Sequence, residues 1–298
     1  MAYNWIGAGF SPSLITYSLS FLVLLIGSIT DLKTREVPDW INYGMIISGV
    51  GLNLLFTAIY SDPSFILNSI IGLSIFFGIA YIMFYAGQWG GGDSKMLMGL
   101  GAMIGLDAGF SSPQFLAGFF INALFAGAVY GLFWSIHLAF RDRKNFLKEF
   151  AKILSRKNIG RIRKIMFAAL IMLIISLFFI KSHYARMLVL LLAFLMIITF
   201  YLSAFAKAIE KSSMYKLVEP SKLTEGDWIV KDIYVNKEYI TGPKDLGIEK
   251  KQINKLIEFY KKRKIEKILI KEGIPFVPSF FIAFIVTFIF GNPLMWFL

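Results

Sequence analysis

The chain contains no cysteine among its 298 residues and only 2 histidines. Disulfide bonds, catalysis by a thiolate and zinc sites built on cysteine are therefore excluded. Neither His137 nor His183 has a potential ligand at a spacing that indicates a metal site. We therefore expect neither a metal ion nor a cofactor.

Charged residues are scarce: they form 17% of the chain, whereas 57% is hydrophobic. A soluble domain of this length needs far more polar surface, so the composition indicates a polytopic membrane protein. The net charge of +12 could suggest nucleic acid as a partner. However, the basic residues cluster in loops beside apolar runs, which is typical of membrane topology signals, and we expect no nucleic-acid binding.

A cleavable signal peptide is also missing from the pattern. The first apolar run, 14–30, has no basic segment before it and no small-residue cleavage site after it. We expect this run to be the first transmembrane helix and to remain in the mature protein.

Apolar runs of about 20 residues are needed to cross a bilayer as helices. The runs that qualify or nearly qualify are 12–30, 41–60, 65–87, 113–140, 165–181, 186–207 and 275–297. The run 95–107 is short and glycine-rich, and it could cross only if protein surrounds it. The sequence therefore predicts an all-α membrane protein of about eight transmembrane helices.

The orientation follows from the loop 141–164, which is strongly basic. Its ten Lys and Arg residues are Arg141, Arg143, Lys144, Lys148, Lys152, Arg156, Lys157, Arg161, Arg163 and Lys164. By the positive-inside rule this loop is cytoplasmic, which puts the N-terminus outside and the loops at Asp31 and Gly90 inside. Within it, Phe146, Phe150, Ile153 and Leu154 recur at helical spacing. They predict an amphipathic helix lying on anionic membrane lipid.

Residues 208–274 are Lys-rich and polar, unlike the rest of the chain. Strand-like runs at 228–235 and 238–241 precede a helical pattern that begins at Ile248. We expect a small cytoplasmic α+β module before the last helix. The domain organisation is then 1–140 (catalytic membrane domain), 141–207 (basic loop and two further transmembrane helices), 208–274 (soluble module) and 275–298 (C-terminal transmembrane helix).

Two aspartates stand at the edges of apolar runs. Asp93 follows Gly90, Gly91 and Gly92, and Asp31 ends the first apolar run. Two spans lie between them, which returns the chain to the same membrane face. Peptide hydrolysis by such a pair needs one ionised carboxylate to activate water and one protonated carboxyl to donate to the carbonyl oxygen. The glycines allow close approach of the backbone and permit positive φ, and Asp93 could alternatively be an N-cap.

At these two stretches the sequence resembles the type IV prepilin peptidases and the archaeal preflagellin (prearchaellin) peptidases, membrane aspartic proteases with a GxGD signature. The segment 90–93, Gly-Gly-Gly-Asp, matches that signature, and the segment 94–97 matches its Lys-apolar continuation. Asp31 with the segment 35–38, Arg-Glu-Val-Pro, matches the first-aspartate motif. The resemblance covers roughly 12–140, and more loosely the Gly-Ile-Pro-Phe-Val-Pro segment 273–278.

The resemblance implies a catalytic pair, Asp31 and Asp93, presented by a turn at Gly90 and Gly92. It implies removal of a short basic leader from pilin-like or archaellin precursors on the cytoplasmic side of the cell membrane. The cysteine-bearing loop of the bacterial members is missing, so cleavage without N-methylation, as in the archaeal branch, fits better.

Other residues are candidates for supporting roles. Lys95 could act on a neighbouring carboxylate or hold a phospholipid headgroup, and Glu36 and Asp39 could meet the basic leader. Pro275 and Pro278 start a helix and could lie beside the active site.

Three other functions compete with this interpretation. A transporter could use both aspartates to bind a cation or relay protons, although neither lies near a span midpoint and no inverted repeat is visible. A scaffold with decayed catalysis would not need intact aspartates. An enzyme that cuts inside the bilayer would have its first aspartate within a span, whereas Asp31 is predicted beyond the apolar run.

Overall fold

The computed structural model describes residues 11–107 and 115–292. The helices are α1 (Pro12–Thr34), α2 (Asp39–Tyr60), α3 (Ser64–Tyr85), α4 (Gly91–Ile104), α5 (Phe115–Arg141), α6 (Arg143–Leu154), α7 (Lys157–Phe179), α8 (His183–Ile209), α9 (Lys250–Lys261) and α10 (Val277–Phe290). The strands are β1 (Tyr215–Val218), β2 (Trp228–Ile229), β3 (Ile233–Val235), β4 (Glu238–Thr241) and β5 (Ile268–Lys271). The predicted polytopic helical protein with a small α+β module before the last helix is confirmed.

Six described helices are long and apolar enough to cross a membrane: α1, α2, α3, α5, α7 and α8. The other two predicted spans form shorter helices of 14 residues each, α4 and α10. Part of the fifth predicted run, 113–114, and the end of the last, 293–297, lie outside the described residues, as does the predicted external N-terminus.

The chain divides into two compact units, one of residues 1–132 with 273–298 and the other of residues 133–272. The first unit contains α1 to α4, most of α5, and α10. The second contains the end of α5, helices α6 to α9 and all five strands. The second unit is therefore an insertion between two helices of the first.

Helix α4 is the centre of the first unit. Its side chains Met96, Leu97, Leu100 and Met103 are at most 1% exposed. They belong to one core with residues of α1, α2, α3, α5 and α10. A helix of 14 residues is about 21 Å long, too short to cross a bilayer of about 30 Å unaided, so its protein surroundings explain how so short an apolar helix is accommodated.

Glycines bring α3 and α4 into backbone contact. A Cβ at Gly72 would lie 2.4 Å from the carbonyl oxygen of Gly101, and a Cβ at Gly101 would lie 2.5 Å from that of Gly72. Real side chains do not come so close, so this crossing requires a glycine on each helix.

Side chains of α2 and α3 satisfy carbonyl groups at the end of α4. The Asn53 amide donates to the carbonyls of Ala102 and Met103, each at 3.2 Å, and the Ser69 hydroxyl donates to Ala102 at 2.6 Å. The last carbonyls of a helix have no partner within it, and water is scarce inside a bundle. These two buried side chains therefore allow α4 to end within the protein.

In the second unit, the predicted amphipathic segment forms α6. Its apolar side chains Phe146, Phe150, Ile153 and Leu154 pack in clusters with Ala204, Phe205, Ala208 and Ile209 of α8. Ile153 is only 1% exposed. The apolar face that the sequence suggested for lipid is thus largely covered by α8, and the basic face is left exposed.

The soluble module builds its own core from two small sheets and α9. β5 lies between β1 and β2, antiparallel to both, and β3 pairs with β4. Asn236 and Lys237 join the β3–β4 hairpin with φ of 53° and 69°, the positive values that a tight two-residue turn requires. Leu256 of α9 is fully buried against this core.

The contact between α3 and α4 generates a stability prediction. We expect Gly72→Ala to destabilise the protein by about 1–3 kcal/mol, because the added methyl group meets a backbone oxygen that cannot move without shifting a helix. Gly78→Ala is the matched control on the same helix, since a Cβ there meets nothing within 4 Å. Thermal unfolding in detergent should show a lower Tm for the first variant only. Equal Tm values for both would contradict the packing described.

Candidate active site

Asp31 lies inside helix α1, not beyond it as the sequence suggested. The helix continues one turn past the apolar run and ends at Thr34. The buried face of α1 is formed by Thr16, Ser20, Leu24, Gly27, Ser28 and Asp31, at the spacing of one helical stripe. Asp31 therefore faces the bundle and is only 5% exposed. Small and polar residues three or four apart could have indicated this position.

The C-cap of α1 is Arg35, which has a left-handed backbone with φ of 64°. Its amide donates to the Asp31 carbonyl, which closes the helix. Its guanidinium Nη1 donates to the carbonyl oxygen of Gly273 at 3.3 Å. The residue that follows α1 is thus joined to the segment that precedes α10.

Asp93 occupies the first turn of α4, three residues after the N-cap Gly90. Its Oδ2 accepts a hydrogen bond of 3.0 Å from the Gly90 amide. The sequence left open whether Asp93 is itself the N-cap. In the structure the N-cap is Gly90, and Asp93, three residues further on, accepts a hydrogen bond from the Gly90 amide.

The glycines before Asp93 do not adopt the positive φ that the sequence allowed for. Gly90 has φ of −72°, and the described glycines with positive φ include Gly87 but neither Gly90 nor Gly92. At Gly90 a Cβ would lie 3.3 Å from Asp93 Oδ2, whereas at Gly92 it would make ordinary contact with Val37. The absence of a side chain at Gly90 therefore leaves room for the Asp93 carboxylate. This agrees with the predicted close approach to the backbone, whereas the predicted positive φ does not occur at Gly90 or Gly92.

Asp31 and Asp93 come together because α1 and α4 pack closely one turn away from each. A Cβ at Gly27 would lie 2.7 Å from Met96 Cε. Gly27 is four residues before Asp31, and Met96 is three residues after Asp93, so each shares a helix face with its aspartate. Burial raises the pKa of Asp93, and the nearby charge of Asp31 raises it further, while the hydrogen bond from Gly90 lowers it.

The N-terminus of α10 completes the surroundings of Asp31. The Val277 amide donates to Asp31 Oδ2 at 3.0 Å. The first amides of a helix have no partner within it and favour a negative charge there. Pro275 and Pro278 flank this amide, as the sequence suggested they could, but the contact itself comes from a backbone group that no side-chain motif marks.

Phe276 fixes the start of α10 against its neighbours. A Cβ at Gly127 of α5 would lie 2.6 Å from Phe276 Cζ, so the ring sits where a side chain at 127 would be. The ring also lies 5.9 Å from that of Trp89 and 5.3 Å from that of Phe280, between ring centroids. Aromatic packing of this kind holds the backbone beside it in place.

The contacts that the structure shows for Lys95 are with residues other than Asp31 and Asp93, and Glu36 is exposed. Lys95 Nζ forms an ion pair of 2.6 Å with Asp39 and lies 5.0 Å from the centre of the Tyr43 ring. Asp39, which the sequence offered to the leader, is therefore engaged by Lys95. The side chain of Glu36 is exposed to solvent.

Tyr130 of α5 is a further polar group near the pair that sequence analysis missed. It lies within electrostatic range of both Asp31 and Arg35. In the sequence Tyr130 is a single tyrosine within a long apolar run, and nothing in that pattern marks it as lying near the two aspartates. Across residues 11–107 and 115–292, no group of three or more His, Asp or Glu side chains gathers in a way that could hold a metal ion.

Comparison with known proteins covers the region of the pair. Residues 18–132 match the type IV leader peptidase family. This range includes both aspartates and ends before the inserted second unit and α10. The resemblance drawn from the two motifs is confirmed over these residues.

Three similar curated proteins are each named preflagellin peptidase. The protein of Methanocaldococcus jannaschii is 40% identical over 91 residues, which is 30% of this chain and 38% of that protein. The protein of Methanococcus voltae is 35% identical over 143 residues, 45% of this chain and 61% of that protein. That of Methanococcus maripaludis is 40% identical over 91 residues, 30% of this chain and 39% of that protein. The chain thus spans about two fifths to three fifths of these relatives.

The raised pKa of Asp93 generates a prediction about stability that needs no substrate. A carboxyl whose pKa is higher in the folded than in the unfolded state loses stabilisation as pH rises from about 4 towards the folded value. The asparagine in Asp93→Asn cannot ionise, so this variant does not lose that stabilisation as pH rises. We therefore expect the Tm of Asp93→Asn, relative to wild type, to increase between pH 4 and neutrality.

Asp62→Asn is the control for this measurement. Hydrogen bonds from Ser64 lower the pKa of Asp62, so its stabilisation is present above the unfolded pKa and is lost as pH falls. The relative Tm of Asp62→Asn should therefore fall slightly as pH rises. A pH-independent Tm difference for Asp93→Asn would show that its carboxyl is not held in its neutral form.

Proposed function

We propose that this chain is a membrane-embedded aspartic endopeptidase that removes the short basic leader from type IV pilin-like precursors, prepilins or prearchaellins. One observation carries the proposal: Asp31, near the end of α1, and Asp93, in the first turn of α4, lie on helix faces that pack together at Gly27 and Met96, close enough for the charge of Asp31 to act on Asp93. The family match over 18–132 and the naming of the methanogen relatives as preflagellin peptidases support this substrate class.

The proposed reaction uses the pair as base and acid. An ionised carboxylate removes a proton from water, and the resulting hydroxide attacks the carbonyl carbon of the scissile bond. The protonated carboxyl donates to the carbonyl oxygen, which gives a neutral tetrahedral intermediate. When the C–N bond breaks, the first carboxyl gives its proton to the leaving nitrogen, and the second carboxylate takes a proton back from a hydroxyl of the intermediate, which restores the pair.

The surroundings of the two side chains support a division of these roles. Burial opposes a negative charge on Asp31, but the helix-terminal amide of Val277, which donates to it, and the nearby Arg35 both favour that charge. The pKa of Asp93 is raised by burial and by Asp31. We assign the base to Asp31 and the proton donor to Asp93, with titration belonging to the pair as a whole.

The proposed active site faces the cytoplasm. The end of α1, the start of α4 and the start of α10 meet at the pair, so all three lie at one side of the first unit. The positive-inside rule supports a cytoplasmic position for that side, when the basic loop 141–164 is taken as cytoplasmic and the five predicted spans before it are counted back. A precursor whose basic leader is cytoplasmic could then present its cleavage site at the membrane edge.

We further propose that Glu36 receives a basic residue of the leader. It is five residues after Asp31 and exposed, and no ion pair engages it in the part of the chain that the structure describes. Asp39 is less suited to this role because Lys95 already neutralises it. Surface carboxylates attract cations with modest energy, so the effect belongs to substrate binding.

Each aspartate is expected to be essential for cleavage. Membranes that hold the wild-type protein should shorten a pilin-like precursor, and Asp31→Asn or Asp93→Asn should lower the rate at least about 10²–10⁴-fold, because either change removes one acid–base group. Amounts of protein in the membrane should be unchanged. Normal cleavage by either variant would refute the pair. Absence of cleavage by wild type, with ion movement across liposomes, would favour a cation- or proton-coupled transporter instead.

Glu36→Gln is expected to raise KM a few-fold for a precursor with a basic leader and to leave kcat unchanged, because it removes an exposed charge away from the reacting atoms. Glu225→Gln, another exposed carboxylate, is the matched control. A precursor whose leader lacks basic residues should be cleaved equally by wild type and Glu36→Gln. An unchanged KM for the basic leader would remove Glu36 from the substrate site.

A further inference from the structure

Arg35 has an unfavourable backbone for its residue type. At the C-cap of α1 its φ is 64°, in the left-handed region that glycine adopts freely and that other residues adopt at a cost. Helices commonly place glycine at such a position. Arg35 shares this conformation with Ser61, the C-cap of α2, so what distinguishes Arg35 is its long charged side chain.

The side chain of Arg35 reaches the segment 273–277 just before α10. It donates to the Gly273 carbonyl, four residues before the Val277 amide that donates to Asp31. Between these two points, Phe276 is packed at Gly127 and Trp89. The start of α10 is therefore held at three points, and two of them, Gly273 and Phe276, lie just before the contact of Val277 with Asp31.

We propose that Arg35 is a positioning residue: its hydrogen bond to Gly273, together with the anchoring of Phe276, holds the N-terminus of α10 so that the Val277 amide donates to Asp31. This inference rests on the proposed function, because it concerns the base of the proposed pair. Neither the two aspartate motifs nor the family match, which ends at 132, includes the α10 side of this arrangement.

The charged and titratable groups around Asp31 come from three helices. Arg35 is the C-cap of α1, Asp93 lies on α4 and Tyr130 lies on α5. From α10 the contact is a backbone amide, which does not titrate. A donated hydrogen bond favours the ionised carboxylate, so its loss makes the base available only at higher pH.

Arg35→Gly separates positioning from folding. Glycine relieves the left-handed backbone, so Tm should equal or exceed that of wild type, while the guanidinium is lost. We expect kcat at neutral pH to fall about tenfold with little change in KM, the size of effect typical of a weakened hydrogen bond to a charged group. The acid limb of the pH–rate profile should move up by about one unit.

Ser61→Gly is the matched control. Ser61 is the C-cap of α2, also left-handed, with φ of 53°, and it is exposed. The same backbone change there should leave kcat, KM and the pH–rate profile as in wild type. A wild-type profile for Arg35→Gly itself would overturn the proposal.

Phe276→Ala distinguishes positioning from a direct effect of the Arg35 charge. It removes no charge but frees the start of α10, so the acid limb should move in the same direction as in Arg35→Gly. Where Phe276→Ala does not fold, Gly127→Ala crowds the same ring. A shift for Arg35→Gly with none for the charge-neutral variant would mean that Arg35 acts by its charge alone, which overturns the proposal.

Amide hydrogen exchange of the full chain in detergent tests the arrangement without any substrate. The peptide that contains Val277 should exchange faster in Arg35→Gly than in wild type or Ser61→Gly. Equal exchange in all three would overturn the inference whatever the enzyme cleaves. Faster exchange together with a wild-type protein that cleaves no precursor would support the positioning and reject the proposed function.

Discussion

Two carboxylates inside an apolar bundle need hydrogen-bond donors, and much of the first unit is arranged around supplying them. Water is not freely available there, and an unsatisfied buried charge is costly. The backbone provides donors to both, at the starts of two helices: the Gly90 amide donates to Asp93 and the Val277 amide donates to Asp31. Helix starts are suited to this because their first amides have no partner within the helix.

The short central helix α4 serves the same need for hydrogen-bond donors, because Asp93 lies in its first turn beside the Gly90 amide. It begins at Gly91 beside the pair and ends inside the protein, where Asn53 and Ser69 take up its last carbonyls. Its backbone contact with α3 depends on Gly72 and Gly101. The position of Asp93 is therefore set by packing along the whole of α4, and a change far from the carboxylate can move it.

The sequence predicted the membrane class, the small α+β module and the closeness of Asp31 to Asp93, because each leaves a local pattern: long apolar runs, alternating short runs and a glycine-flanked acid. It failed where a pattern has two physical outcomes. Hydropathy drops at Thr30 although α1 continues, since charged residues are tolerated in a helix's last turn near the membrane edge. The amphipathic pattern of α6 fits lipid or a neighbouring helix equally, and here α8 covers its apolar side. The Lys95–Asp39 pair joins two helices and leaves no spacing signal.

The donor to Asp31 lies 246 residues further along the chain. Ribosomes make proteins from the N-terminus, so both aspartates are synthesised well before α10. Until α10 has been made, Asp31 lacks its Val277 partner. The surroundings of Asp31 are therefore completed only after the whole inserted second unit has been synthesised.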